Sequence, residues 1–399
     1  MMDWRLGLPV LRGPQAVLRE PKLADATALF RCLSSEAVKR FIATPPSTPE
    51  GFERFILWVQ NERQRGRHVC FAIVPDGSHE AVGLIQVRET EAGFGTAEWG
   101  FALSEEYWGT DLFRSCALRV LDFAVRVMRV HRIEARASVS NGRGNGALQK
   151  LGAIPEGILR QSFANETTRT DQVLWSIIAH DWLAAHPTCS YDLNEQVVQA
   201  PELDLAAAPR RPQPAWRQVL PVLTAPGLTM RELRLSDAAT LAAMFADPEV
   251  RRYIPPPPGS AAEFERFIEW TWKQRTDGTI LCFGVVPEGS QEAIGLFQLH
   301  ELEPPFRTVE WGFALGRPYW GRRLFDSAAR ILLSFAFDTL ETHRIEARVM
   351  ATNTPANMAL RRLGAAEEGH LRRSFLLGGE YHDDILWALL DSDWRNLAR

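Results

Sequence analysis

Two short segments carry the residue types most suited to holding a ligand: Tyr107-Trp108-Gly109-Thr110-Asp111-Leu112-Phe113 and Tyr319-Trp320-Gly321-Arg322-Arg323-Leu324-Phe325. Each follows a strand-like run, Glu98 to Leu103 or Glu310 to Leu315. Each also precedes apolar residues at helical steps, Leu112, Cys116, Val120 and Ala124 in one case, Leu324, Ala328, Leu332 and Ala336 in the other. A strand, a glycine-containing loop and a helix start would aim backbone N–H groups and the positive helix end at one point, which suits a pyrophosphate. The plainer alternative is a turn with an aromatic anchor. The residue before the helix is Asp111 in one segment and Arg323 in the other. A carboxylate there repels phosphate unless it points to solvent, whereas Arg322 and Arg323 add donors, so the second loop is expected to be the better anion site.

Other polar residues recur at matched places. Glu134 and Glu346 lie beside arginines in His131-Arg132-Ile133-Glu134-Ala135-Arg136 and in the run His343 to Arg348, which points to an ion-paired sheet face. Asn141 and Asn353 follow those strands, where asparagine also suits a turn. Ser162 and Ser374 close strands, ordinarily a structural place. Cys32, Cys70, Cys116, Cys189 and Cys282 form no C-x-x-C pair, and no metal site can be assembled from them with the nine histidines. Cys70 and Cys282 sit in apolar runs and read as core. So do the recurring tryptophans Trp58, Trp99, Trp108, Trp175 and Trp182.

These matches belong to one long repeat. Trp4 aligns with Trp216 and Trp182 with Trp394 at a constant offset (216 − 4 = 212; 394 − 182 = 212), with no gap. About 80 of the paired positions are identical, far above chance and long enough for a whole domain per copy. The expected organisation is a domain at 1–185, a proline-stiffened linker at 186–213 and a domain at 214–399. Within each copy the patterns predict a strand, two helices, three antiparallel strands, a helix, a strand, a helix and two strands. Asp25 and Asp237 are expected to N-cap the first helix, and a second helix is expected from about Pro49 through Arg65. The short helix Ala147 to Leu151 should stop at Gly152 in a left-handed conformation. The strand Arg132 to Ala137 should turn Ile133, Ala135 and Ala137 to one side and its charges to the other.

That order and its motifs resemble the GNAT acetyltransferase superfamily, in the branch similar to the RimJ and RimL ribosomal-protein N-terminal acetyltransferases. The resemblance rests on Glu98-Trp99-Gly100-Phe101-Ala102-Leu103 leading to the Trp-Gly loop, the His131 strand, Asn141 to Asn145, Leu151-Gly152-Ala153, Glu156-Gly157 and Leu159-Arg160. It covers the second copy as well, through Glu310 to Leu315, Tyr319 to Phe325, His343 to Arg348, Asn353 to Asn357 and Leu363-Gly364-Ala365. It implies an α/β fold: two tandem GNAT-like domains, each a mixed, mostly antiparallel sheet flanked by helices. It also implies acetyl-CoA as cofactor, with the loop on pyrophosphate and the preceding strand along the pantetheine arm. The implied cofactor residues are Phe101, Ala102, Leu103, Trp108, Gly109, Thr110, Leu112, Asn141 and Asn145, and Phe313, Ala314, Leu315, Trp320, Gly321, Arg322, Arg323, Leu324, Asn353 and Asn357. Glu98 and Glu310 are the implied general bases for a primary amine, with a carboxylate bonded across the sheet as the other reading. The sequence departs from the family loop where its first glycine is Asp111 or Arg323 and the small position after it is Phe113 or Phe325. The acceptor is expected to be a protein N-terminus or a small amine. A different class also fits, a tandem acetyl-CoA-binding or regulatory protein with one or both domains inactive.

Composition narrows the rest. Hydrophobic residues make up 46% of the chain and charged ones 24%, as in globular proteins, and the net charge of −4 gives no reason to expect nucleic acid as a partner. No apolar run reaches the ~18 residues needed to span a bilayer, and the first residues lack a signal-peptide pattern. A cytoplasmic protein without membrane partners is expected.

Overall fold

In the computed structural model, which describes residues 3–164, 168–188 and 214–397, the chain divides into two units, residues 1–207 and 208–399. Most of the expected linker, from 189 to 213, lies outside the described residues.

The first unit contains β1 (Leu11–Arg12), β2 (Ala16–Arg19), α1 (Ala26–Leu33), α2 (Glu36–Lys39), α3 (Pro49–Gln64), β3 (His68–Pro75), β4 (Gly83–Glu89), β5 (Thr96–Leu103), α4 (Leu112–Arg126), β6 (Arg132–Ser138), α5 (Gly142–Lys150), β7 (Ile154–Ala164), β8 (Arg169–Ile178) and α6 (Ala179–Ala185). Its strands lie in the order β1-β2-β3-β4-β5-β6-β8-β7. Every neighbouring pair is antiparallel except β5 and β6. One face carries α4 on a core that includes Phe71, Ile85, Trp99, Val120, Phe123 and Ile133, and the other carries α1 and α3 on Leu29, Phe52, Ile56, Cys70 and Leu84. Helix α3 has a clear local cause. Thr48 accepts a hydrogen bond from Gly51 N, Pro49 stands in the first turn, and Phe52, Ile56 and Val59 form the buried stripe.

The second unit repeats the first: β9 (Leu223–Ala225), β10 (Leu228–Glu232), α7 (Ala238–Phe245), α8 (Pro248–Arg251), α9 (Ala261–Asp277), β11 (Ile280–Pro287), β12 (Gly295–Glu303), β13 (Thr308–Leu315), α10 (Leu324–Ser334), β14 (Arg344–Met350), α11 (Thr354–Arg362), β15 (Ala366–Leu377), β16 (Glu380–Leu390) and α12 (Asp391–Leu397). Its sheet carries α10 on one face, and α7 and α9 on the other.

Two local expectations need correction. Asp25 and Asp237 do not cap the first helices through their side chains. The Asp25 carboxylate takes two bonds of 2.7 Å from Arg19, and Asp237 takes bonds of 2.7 and 2.9 Å from Arg231. A buried carboxylate gains more from a guanidinium than from one peptide N–H. Helix α5 starts at Gly142, earlier than expected, because Asn141 Oδ1 accepts from Gly144 N at 2.9 Å. It does stop before Gly152, whose φ is 84°. On β6, Ile133, Ala135 and Ala137 enter the core as expected, and Arg132 and Glu134 are buried as well. Arg132 Nε donates to Glu134 at 2.9 Å and Nη2 to Glu156 at 2.5 Å, so the ion pairing expected of Glu134 is present, inside the fold.

Candidate functional site

The parallel strands of each unit begin paired and then part. Strands β5 and β6 are joined at Thr96–Arg132, Ala97–Ile133 and Glu98–Glu134. Beyond that point β5 keeps its ladder with β4 alone, through Leu103, and β6 keeps its ladder with β8 alone, through Ser138. A wedge therefore opens along Trp99 to Leu103, about 16 Å at 3.3 Å per residue, and the backbone groups on that edge of β5 face it without a second strand. The second unit has the same feature. Strands β13 and β14 are joined at Thr308–Arg344, Val309–Ile345 and Glu310–Glu346 and then separate. In each unit an indole ties the end of the opened strand: Trp108 Nε1 donates to Leu103 O at 2.9 Å, and Trp320 Nε1 to Leu315 O at 2.8 Å.

At the wide end of each wedge a helix begins. Gly109 and Gly321 adopt φ of 78° and 71°, which a side chain would strain, and helices α4 and α10 start at Leu112 and Leu324. The phenylalanines that replace a small residue fill the first helical turn. Phe113 lies 4.3 Å from the Phe101 ring, and Phe325 4.7 Å from Phe313. Asp111 is exposed, with φ −78°, and sits 3.8 Å from Arg114. Arg323 instead takes φ 61°. Its partner position three residues on is Asp326, which lies 3.4 Å from Arg362. Asp111 is thus offset within one helical turn, while Asp326 pairs with Arg362 on α11. Two further arginines reach these mouths. Arg322 lies 5.6 Å from the Tyr319 ring, and Arg143, at the start of α5, lies 4.8 Å over Trp108.

At the narrow end stand Glu98 and Glu310, each in the last paired position before the strands part. Both occupy the sheet face covered by the paired helices, with Ala102 and Ala314 on the same side. Next to them Gly100 and Gly312 leave open space, since no atom lies within 4 Å of where a Cβ would be. Arg88 Nη2 donates to Glu98 Oε2 at 2.6 Å, so in the first unit the carboxylate is bonded across the sheet. The residue opposite Glu310 in register is His300. Burial pushes the His300 imidazole below its ordinary pKa. Alongside Arg88, His68 Nε2 lies 3.0 Å from Gln86 Oε1. Burial is the main cause that lowers the His68 pKa to about 4.

The asparagines are mostly spent on the scaffold. Asn141 and Asn353 cap α5 and α11. Asn145 donates to Ser138 O and Asn141 O and accepts from Trp175 Nε1, and Asn357 does the same with Met350 O, Asn353 O and Trp387 Nε1. Their amides clamp the far lip of the wedge. Ser162 bonds Leu159 O and Gln172, and Ser374 bonds Asp384 at 2.6 Å, which makes both structural. The thiols of Cys116 and Cys282 are pushed up to about 12 by burial and cannot serve as nucleophiles. Among the described residues, no group of three or more His, Cys, Asp or Glu could hold a metal ion, and no helix is long and apolar enough to cross a membrane. The sequence reading missed Arg88, His300 and Arg143. Their types were visible, but their partners depend on strand register.

Residues 15–154 and 227–366 both match the family described as an acetyltransferase (GNAT) domain. The chain is 29% identical over 168 residues to the uncharacterized N-acetyltransferase p20 of Bacillus licheniformis, covering 42% of this chain and 94% of that one. It is 27% identical over 184 residues to the ribosomal protein uS5 alanine N-acetyltransferase of Escherichia coli, covering 43% and 92%. A spermidine N(1)-acetyltransferase of Vibrio cholerae is 28% identical over 112 residues, covering 28% and 65%.

Proposed function

Because the chain belongs to the GNAT acetyltransferase family, we propose that it transfers an acetyl group from acetyl-CoA to a primary amine, either a protein N-terminus or a small amine. The observation that carries this reading is the wedge: two parallel strands that part after Glu310–Glu346, with a helix start at the wide end and a carboxylate at the apex. An opened strand edge suits an arm built from amides, because the unpaired peptide groups of β13 can bond it as a further strand would. The first turn of α10, with Arg322 and Arg323 beside it, suits the pyrophosphate. By this reading Phe313, Ala314 and Leu315 contribute backbone, Gly321 and Leu324 the loop and helix start, and Trp320, Asn353 and Asn357 hold the lips in place. In the first unit Phe101, Ala102, Leu103, Gly109, Thr110 and Leu112 have the corresponding places, with Trp108, Asn141 and Asn145 as scaffold.

When bound, acetyl-CoA would supply a thioester whose carbon–sulfur bond breaks as the carbon–nitrogen bond to the amine forms, coenzyme A leaving as the thiol with a proton given up by the ammonium. The amine arrives as an ammonium and must lose a proton first. Glu310, at the apex on the face with open space beside Gly312, takes that proton directly or through one water. Strand backbone N–H groups turned to the wedge are placed to bond the developing negative charge on the carbonyl oxygen.

The ribosomal-protein and spermidine enzymes among the relatives both act on primary amines, which supports an amine acceptor without choosing between them. A second reading, in which a domain holds acetyl-CoA without transferring it, has one observation in its favour, the guanidinium bonded to Glu98. Thiol release from acetyl-CoA, measured with alanine-initiated peptides and with spermidine, tests the proposal. Release that depends on the amine supports transfer, and saturable binding with no release for any amine would leave only the binding reading. Glu310→Gln should lower turnover by about 10²-fold while acetyl-CoA still binds.

A further inference from the structure

A cavity of about 460 Å³ in the second domain lies between the turn after α10, the start of β13 and helix α12, and its lining includes Arg307, Asp338, Glu341, Thr342, Asp391 and Arg395. That volume is within the range of about 300–1,000 Å³ usual for small-ligand sites. The cavity is separate from the wedge: Arg307 comes just before the paired stretch Thr308 to Glu310, and the wedge opens only after it. Its charges do not pair with one another. Arg307 Nη1 donates to the Glu341 carbonyl at 3.0 Å, and Asp391 lies 3.4 Å from His343. Among the described residues, Arg307, Arg395, Asp338 and Glu341 form no ion pair, although both signs line one hollow.

A buried hydroxyl points the same way. Thr342 is 2% exposed, and its Oγ1 has no hydrogen-bond partner among the described residues. Such a hydroxyl costs free energy that a valine of the same shape does not. The first domain has that valine: counting back 212 residues, Thr342 becomes Val130, Arg307 Gly95, Asp338 Arg126, Asp391 Ala179 and Arg395 Leu183. There Arg126 bonds Asp122 at 2.6 Å, and Trp182 Nε1 donates to the same carboxylate at 3.2 Å. The second domain has Ser334 in the place of Asp122. The unbonded hydroxyl and the unpaired charges therefore belong to the second domain, and both call for a partner from outside the chain.

We propose that this cavity binds a small zwitterion, with an ammonium and a carboxylate, of the size of a free amino acid. A ligand of one sign gains from half of the lining and is repelled by the other half, whereas a zwitterion gains from both. Its carboxylate bonds Arg307 and Arg395, and its ammonium bonds the carboxylates of Asp338, Glu341 and Asp391. The Thr342 hydroxyl can donate or accept and so completes either end. This site is independent of acetyl transfer and of the reading of Glu310 as the base.

The test is calorimetric titration of the full chain, without acetyl-CoA, with each of the standard amino acids, and with acetate and methylammonium as ions that carry one of the two charges each. At least one amino acid is expected to bind at about 1 mM or tighter, and about tenfold more tightly than either ion. Arg395→Leu and Thr342→Val each install the first domain's residue, and each is expected to weaken that binding by about tenfold or more. Arg395 is exposed, so its replacement leaves the core untouched. An amino acid held as an acceptor amine in either wedge would bind the native and Arg395→Leu chains equally, and that result would overturn the proposal. So would binding no tighter than about 10 mM for every amino acid, or acetate or methylammonium binding as tightly as the best of them. Should Thr342→Val fail to fold, Arg395→Leu decides alone.

Discussion

Arg344 and Glu368 meet 2.6 Å apart with both side chains buried, and the same guanidinium reaches Glu346 at 2.9 Å. The cluster pins β15 and the paired base of the wedge together, since Glu346 is the register partner of Glu310. The first domain has the same arrangement in Arg132, Glu134 and Glu156.

Arg344→Met should therefore be strongly destabilising, because it leaves two carboxylates in the interior without their shared cation. A loss of about 3–5 kcal/mol is expected from breaking a buried pair on one side. Thermal unfolding would register this as a fall of roughly 6–20 °C in the transition of the second domain. A loss below about 1 kcal/mol would mean that water or other side chains satisfy both carboxylates.

The loop before each long helix separates backbone strain from charge. Arg323 occupies a left-handed conformation and Asp111 does not. Arg323→Gly should relieve strain worth about 1 kcal/mol and stabilise the second domain, while weakening acetyl-CoA binding by a few fold as a phosphate donor is lost. Asp111→Gly should not stabilise the first domain, because its φ of −78° suits any residue. Paired melting curves and calorimetry would check this; equal effects of the two substitutions on stability would contradict it.

Two acetyl-CoA sites should be detectable, and their affinities should differ by no more than about tenfold, roughly 1.4 kcal/mol. The reason is that Asp111 is exposed and has Arg114 within one turn, which screens the repulsion its carboxylate would offer a phosphate. Calorimetric titration of the intact chain is the measurement. One site only, or affinities a hundredfold apart, would mean that the single charge at the helix start ranks the two loops after all.

Acid should weaken the second domain through Asp237. Burial raises its pKa, but bonds from Arg231, Arg234 N and Ala293 N outweigh this and hold it below the ordinary value of 3.8. A carboxyl depressed on folding stabilises fully above its unfolded pKa and loses that contribution as pH falls through its folded one. Stability should therefore decline as pH drops below about 4. Asp237→Asn, which lacks the charge, should show a shallower acid limb in urea titrations between about pH 5 and pH 2. An identical limb in both proteins would remove Asp237 from the acid response.

Much of this protein was legible in its residues, because the signals involved are local. The unbroken offset between Trp4 and Trp216 set out two like domains, apolar spacing placed a helix from Pro49 within one residue of its observed end at Gln64, and the glycine of Trp108-Gly109 marked the turn into α4. The same reading could not see that Asp25 turns to Arg19 instead of its own helix, that Arg132 and Glu134 are buried, or that Arg88 holds Glu98 while His300 faces Glu310. Each of those depends on which residue of one strand lies opposite which residue of another. Shifting a strand by one place sends every side chain to the other face, so register decides both partners and burial. Only the assembled sheet fixes that register. The place where β5 and β6 stop pairing, on which the wedge depends, is likewise a property of two strands and of neither sequence alone.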